Sequence, residues 1–338
     1  MAPSRPIPTS PIPVLPQASP FPARPSDRDA WILALRGPRS PVDHWRPHAF
    51  LLEEEPDASG AIVPVTTIFL TNRECPWRCT MCDLWRNTLA EPTPPGAIPA
   101  QIEYALEQLA ASASKHIKLY NSGSFFDPRA IPPEDHLAIA ESIRTFDRVI
   151  VECHPALIND SCLRFRDLLN GQFEIAMGLE TAHPGVLEKL NKRLTLDQFR
   201  AAADFLRAHS IALRVFILVQ PPFMPQDESL HWAQRSLDFA FDCGATAATL
   251  IPTRSGNGAM EALAASGDFT PPSLATVEDA VDYGLCLHRG RVFSDLWDLP
   301  RPTDCPACRE ARVARLRAMN LSQRTLPRIP CSVCGGRA

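Results

Sequence analysis

Between residues 63 and 251 short apolar strands alternate with helical stretches, and no other feature restricts the fold so strongly. The pattern predicts strands over 65–71, 116–121, 148–153, 173–179, 211–219 and 245–251. Between them, helical spacing covers 100–113 (Ile102, Ala105, Leu106, Leu109), 134–145, 160–169, 196–209 and 228–243. Strand–helix repetition of this length implies parallel strands joined by crossover helices. Six such units predict an α/β chain built on a partial (β/α)6 TIM-like barrel. In such barrels reactive groups gather where strands end and loops begin.

The rest of the chain divides by composition. Residues 1–25 contain nine prolines and read as a disordered or polyproline tail. Residues 26–62 form an N-terminal extension, in which Ser26 is expected to cap a short helix over 27–36. Residues 63–300 are the expected core, and 301–338 an arginine-rich four-cysteine module. With 338 residues, 45% hydrophobic and 21% charged, the chain can bury one large domain plus an appendage. No run of 18 apolar residues predicts a membrane span, and no basic segment followed by an apolar one predicts a signal peptide. Eleven cysteines without a secretion signal favour metal binding over disulfides and a reducing, cytoplasmic setting. A net charge of −4 excludes a chain that binds nucleic acid by overall charge.

The first predicted strand runs directly into Cys75-Pro-Trp-Arg-Cys79-Thr-Met-Cys82. Three thiolates with no fourth nearby suit a [4Fe–4S] cluster that keeps one iron open. A structural zinc site, which needs a fourth ligand, is the competing reading. Other strand ends are also polar. The second leads into Ser122-Gly123-Ser124, a turn able to offer backbone groups to a ligand. The third ends in Glu152-Cys153-His154-Pro155, where Glu152 and His154 share a face. A glutamate breaking an apolar strand needs a partner such as a cationic ligand. The fourth ends in Gly178-Leu179-Glu180-Thr181, followed by Asn191-Lys192-Arg193. The sixth leads to Arg254 and Asn257, candidate substrate contacts. Cys153, Cys162, Cys243 and Cys286 are expected to be small core residues.

The tail carries Cys305-x2-Cys308 and Cys331-x2-Cys334. Four thiolates suit a closed tetrahedral zinc site, with a second iron–sulfur cluster as the alternative. Eight arginines against two acids from residue 301 onward make a local +6, able to contact a phosphate backbone or simply to stud a solvated helix face.

Taken in order, the cysteine triplet, the glycine turn, E-x-x-P, G-x-[EQ]-[ST] and the later N-[RK] resemble the radical S-adenosylmethionine (SAM) superfamily. The branch is that of the Elongator catalytic subunit, the methylthiotransferases and the oxygen-independent coproporphyrinogen oxidase. A closer likeness is to the radical SAM subunit of archaeosine synthase, through Thr80-Met81-Cys82, Ser122–Asp127, Gly178–Thr181 and Pro221-Pro222-Phe223. The resemblance covers roughly residues 63–255. It implies that Cys75, Cys79 and Cys82 hold the cluster, and that Ser122, Gly123, Ser124, Glu152, Glu180 and Lys192 surround SAM. It further implies reductive cleavage of SAM to a 5′-deoxyadenosyl radical, a flavodoxin- or ferredoxin-type electron donor, and a modified nucleoside in tRNA as substrate. Two departures stand out. Met81 replaces the usual aromatic before the third cysteine, with Trp77 nearby to compensate, and the four-cysteine tail lies outside the pattern. The competing expectations are a peptide or small metabolite as substrate, and a non-catalytic zinc-bound RNA-binding scaffold.

Overall fold

The computed structural model describes residues 19–109, 114–297, 299 and 305–335. Most of the expected proline-rich tail, and Arg301 and Arg337 of the arginine-rich module, lie outside them. One eight-stranded sheet runs in sequence order. Its strands are β1 (Ala49–Pro56), β2 (Ile62–Phe69), β3 (His116–Tyr120), β4 (Arg148–Glu152), β5 (Gln172–Glu180), β6 (Ala212–Val219), β7 (Ala247–Pro252) and β8 (Arg291–Ser294). β1 pairs antiparallel with β2, and every later neighbour pair is parallel. The sheet curls into an open half-barrel. The helices are α1 (Pro25–Leu35), α2 (Ala97–Leu109), α3 (His136–Ser142), α4 (Asp160–Arg166), α5 (Pro184–Lys189), α6 (Leu196–Ala208), α7 (Ser229–Asp242), α8 (Ala259–Ser266), α9 (Leu274–Cys286) and α10 (Arg309–Ser322). No helix among the described residues is long and apolar enough to cross a membrane.

The six expected strands are β2 to β7, so the partial barrel is present, with one strand added at each edge. β1 falls within the stretch expected to be an extension. Ser26 does not cap α1, which starts at Pro25 without a side-chain cap. α6 follows its sequence cues closely. Thr195 accepts from the Gln198 amide at 3.2 Å, and the Gln198 side chain accepts from the Thr195 amide at 2.9 Å, a reciprocal cap.

Strand alternation sorts the residues into two faces. Ile117 and Leu119, Val149 and Val151, Ile175 and Met177, and Val215 and Ile217 turn outward. They pack under Ile102, Phe165, Phe199, Leu237 and Val277 of the helices. The inward face is charged at the N-terminal ends of the strands. Glu174 is fully buried and meets Arg148 and Arg214 at 2.7 Å each and Arg291 at 3.3 Å. Arg214 also reaches Glu55 at 2.9 Å, and Lys118 pairs with Glu55 and, at 2.8 Å, with Glu53. Burial alone raises the Glu174 pKa, but the arginines outweigh it and hold it at about 2. Charges persist in a protein interior only when paired in this way. The network closes the bottom of the half-barrel. Above it Tyr120 stands edge-on to Phe69 and Phe216, with ring centroids 6.1 and 6.0 Å away.

Candidate active site

The C-terminal ends of the strands form the open mouth, and the cysteine loop lies across it directly after β2. Backbone and side chains from two later segments, residues 189–191 and Asn257, hold that loop in place. The Thr80 amide donates to Leu190 O at 2.9 Å, and its hydroxyl to Lys189 O at 3.0 Å. Asn191 donates to Arg78 O at 2.7 Å. Asn257, nearly fully buried, donates to Thr80 O at 2.8 Å and Cys82 O at 3.1 Å. Its own oxygen accepts from the Met260 amide at 2.8 Å. From below, Glu74 receives Arg36, Arg39 and Arg78. Burial pushes the thiols of Cys75, Cys79 and Cys82 up, Cys79 to about 12. Buried thiols of this kind ionise when a cationic metal centre compensates them. The three sulfurs are not gathered within 4.8 Å of one another as ligands of a single ion are, which suits a polynuclear cluster better than one zinc.

The turn after β3 packs tightly on the loop. A Cβ on Gly123 would stand 3.1 Å from the Cys75 Cβ. Ser122 adopts a left-handed φ of 52°. Ser124 is buried and its oxygen accepts from the His154 amide at 2.8 Å. Glu152, at the end of β4, accepts the amides of Asn121 and Gly123, the latter at 3.4 Å. Burial raises its pKa despite those donors, and it makes no ion pair among the described residues. Asn121 is fully buried, with no partner for its side-chain oxygen or nitrogen. A carboxylate without a contacting cation and an amide without a partner, side by side at the mouth, fit a ligand carrying both an ammonium and polar acceptors. SAM has these groups.

The end of β5 is distorted. The register with β6 shifts between Gly178 and Glu180, and Glu180 has φ of 67°. Glu180 there pairs with Lys192, both buried. A Cβ on Gly178 would lie 2.2 Å from Glu180 Oε1 and 2.3 Å from Lys192 Nζ, so any larger residue would displace the pair from its present position. Asn191 and Arg193 are also left-handed. Backbone strain of this kind concentrates at functional sites. His154 stacks on Trp77 with ring centroids 3.8 Å apart. Burial pushes His154 down to about 3. The ring is therefore neutral, its Nδ1 accepting from the Ala156 amide and its Nε2 donating to Lys192 O, both at 3.1 Å. Met81 packs between two small apolar clusters instead, near Leu190 and Met260.

Archaeosine synthase subunit beta of Methanosarcina acetivorans is 25% identical to this chain over 281 residues, covering 78% of the chain and 81% of the relative. The chain is similar to this subunit over most of its length. No family model matches it. Among solved structures, the archaeal Elp3 of Methanocaldococcus infernus is 13% identical with a TM-score of 0.47, covering 62% of this chain and 53% of that one. Coproporphyrinogen III oxidase (HemN) of Escherichia coli is 12% identical with a TM-score of 0.45, covering 76% and 55%.

At the mouth of the half-barrel, the expected residues Ser122, Gly123, Ser124, Glu152, Glu180 and Lys192 all stand at the ends of β3, β4 and β5 or in the loop after α5. Asn257, expected as a substrate contact, instead ties down the cysteine loop with its whole amide. Arg254 lies 3.9 Å from Asp83, beside Cys82, and donates to Trp297 O at 3.3 Å. Asn121 had no signal of its own in the sequence beside the glycine turn, and Asn191 stood there only as the first residue of the N-[RK] motif. Cys153, Cys162 and Cys243 are buried as expected, but Cys286 is exposed. The tail arginines do not form a free basic surface as a set. Arg315 is buried against Glu278 and Asp282, and Arg312 and Arg328 pair with the same acidic face of α9.

Proposed function

We propose that this enzyme binds a [4Fe–4S] cluster through Cys75, Cys79 and Cys82 and cleaves SAM to initiate hydrogen abstraction from a modified nucleoside in tRNA. The observation that carries this reading is the half-buried Glu152, which makes no ion pair among the described residues, beside the unpartnered Asn121 at the strand ends next to the cysteine loop. The likeness to a subunit of archaeosine synthase supports the nucleoside class of substrate. It also makes a partner subunit and a flavodoxin- or ferredoxin-type electron donor part of the proposal.

When bound, the cluster and SAM supply reductive sulfonium cleavage and the radical that removes a substrate hydrogen. The chain does the rest. Glu152, anchored by the Asn121 and Gly123 amides, receives the ammonium of SAM. Ser122 to Ser124 bring backbone groups to the same end. Lys192, held toward the mouth by Glu180, supplies positive charge for the SAM carboxylate. The ionic floor excludes water from below. The collar of Tyr120, Phe69 and Phe216 gives a flat ring an aromatic surface.

A second reading, with a peptide or small metabolite as substrate, is favoured by one observation. Three of the tail arginines that were to meet a phosphate backbone are engaged with Glu278, Asp279 and Asp282. The two readings separate in one experiment. Reconstituted enzyme, dithionite and SAM are incubated with bulk tRNA, and digested nucleosides are compared by mass spectrometry with a Cys79→Ala control. A nucleoside mass change that needs Cys79 supports the tRNA reading. Uncoupled SAM cleavage with unaltered tRNA moves the substrate to the second class.

A further inference from the structure

Outside the mouth, Cys305, Cys308, Cys331 and Cys334 form the one group of metal-type side chains among the described residues whose ligand atoms all lie within 4.8 Å of one another. The Sγ atoms of Cys305 and Cys331 are 3.9 Å apart, and those of Cys308 and Cys334 3.7 Å. Four thiolates around one zinc at about 2.3 Å define a tetrahedron with an edge of about 3.8 Å. The separations match that edge. A four-iron cubane takes one thiolate per iron and spreads its sulfurs farther apart than this group allows. The donor set is therefore closed around a single ion, with no position left for substrate.

The ion's place in the fold gives it a task. Cys308 immediately precedes α10, and Cys331 and Cys334 end the segment that returns from it. α10 packs against β1, β8 and α9, across the gap between the two unpaired edges of the sheet. Asn320 and Gln323 complete the free edge of β8. The Asn320 amide brackets the Ser294 backbone at 2.8 Å on both sides, and Gln323 brackets Val292 at 2.7 and 2.9 Å. Arg315 fixes the returning segment through Leu326 O at 2.7 Å and Pro327 O at 3.0 Å.

We propose that Cys305, Cys308, Cys331 and Cys334 hold one structural Zn2+ that fastens α10 and its returning segment over the open seam of the half-barrel. It is independent of the cluster loop and rests on different residues. The test is metal and acid-labile sulfide analysis of anaerobically purified full-length protein. Three forms are compared: wild type, a Cys75→Ser/Cys79→Ser/Cys82→Ser variant and a Cys305→Ser/Cys331→Ser variant. One zinc per chain is expected in the first two and none in the third. Wild-type protein exchanged with Co2+ should show the absorption of tetrahedral cobalt thiolate, which keeps the test valid if the tail variant fails to fold. Hydrogen exchange across 309–330 should accelerate at least tenfold in wild type stripped of zinc by a chelator. Iron bound to the tail cysteines, with or without labile sulfide, overturns the proposal. So do tail cysteines recovered as metal-free thiols or as disulfides, and so does zinc removal that leaves exchange across α10 unchanged.

Discussion

Replacing Asn257 by alanine removes three hydrogen bonds from beneath the cysteine loop: those to Thr80 O and Cys82 O, and the one from the Met260 amide. A buried hydrogen bond contributes about 1 kcal/mol net, and two of the three reach the loop, so the loop loses about 2 kcal/mol of anchorage. At 1.4 kcal/mol per factor of ten, its local opening becomes about 30-fold more frequent. The hydrogen bonds of the side chain go to loop residues and the start of α8, so the barrel should be unaffected. Hydrogen exchange followed by mass spectrometry on the metal-free protein reads both effects. Amides of residues 76–82 should exchange about 30-fold faster in Asn257→Ala, with β3 to β6 unchanged. On reconstituted protein, iron should be lost faster to a chelator. If loop exchange and iron retention match wild type while turnover is abolished, the reasoning is wrong, and Asn257 serves the substrate directly.

Further expectations follow from other contacts. Gly178→Ala forces Glu180 and Lys192 apart, because the added methyl falls within 2.3 Å of both. SAM affinity measured by calorimetry should drop at least tenfold while the thermal midpoint moves little, and an unchanged affinity removes the pair from the SAM site. Glu174→Gln leaves Arg148, Arg214 and Arg291 short of a counter-charge. It should cost about 3–5 kcal/mol in urea unfolding, and a loss under 1 kcal/mol contradicts the floor described above. Because the Glu174 pKa is held at about 2 against an ordinary 4.5, its stabilising contribution is complete above pH 4.5 and drains away as pH falls toward 2. The urea midpoint of wild type should therefore decline over that window more steeply than that of Glu174→Gln. Arg315→Met breaks buried pairs to Glu278 and Asp282. Since Arg312 and Arg328 still meet Glu278, a loss of about 3 kcal/mol is expected, and a neutral result refutes a structural role for the tail arginines.

The parallel strands and the cluster loop were legible because each reads locally, as an apolar run with a polar end. β1 was not, because Glu53-Glu54-Glu55 looks like a solvated charge run. Glu53 and Glu55 in fact point into the barrel, and their partners Lys118 and Arg214 are distant in sequence. β8 is four residues long, below what periodicity detects. The arginines of α10 illustrate the opposite error. Their density suggested a phosphate-binding face, and only the packing of α10 on α9 reveals Glu278, Asp279 and Asp282 as their partners. Asn257 was correctly placed near the site, but its contacts depend on two loops meeting 175 residues apart, which spacing does not encode. Gly178 belonged to a recognisable tetrapeptide, yet its physical reason, space for a buried ion pair, appears only in three dimensions.

The most direct test of the central claim is production of 5′-deoxyadenosine. Protein purified without oxygen is reconstituted with iron and sulfide, reduced with dithionite and given SAM, beside a Cys79→Ala control. Radical SAM chemistry at Cys75, Cys79 and Cys82 predicts about four irons per loop site and 5′-deoxyadenosine that disappears in the control. A wild-type loop that binds no iron, or product that survives Cys79→Ala, contradicts it.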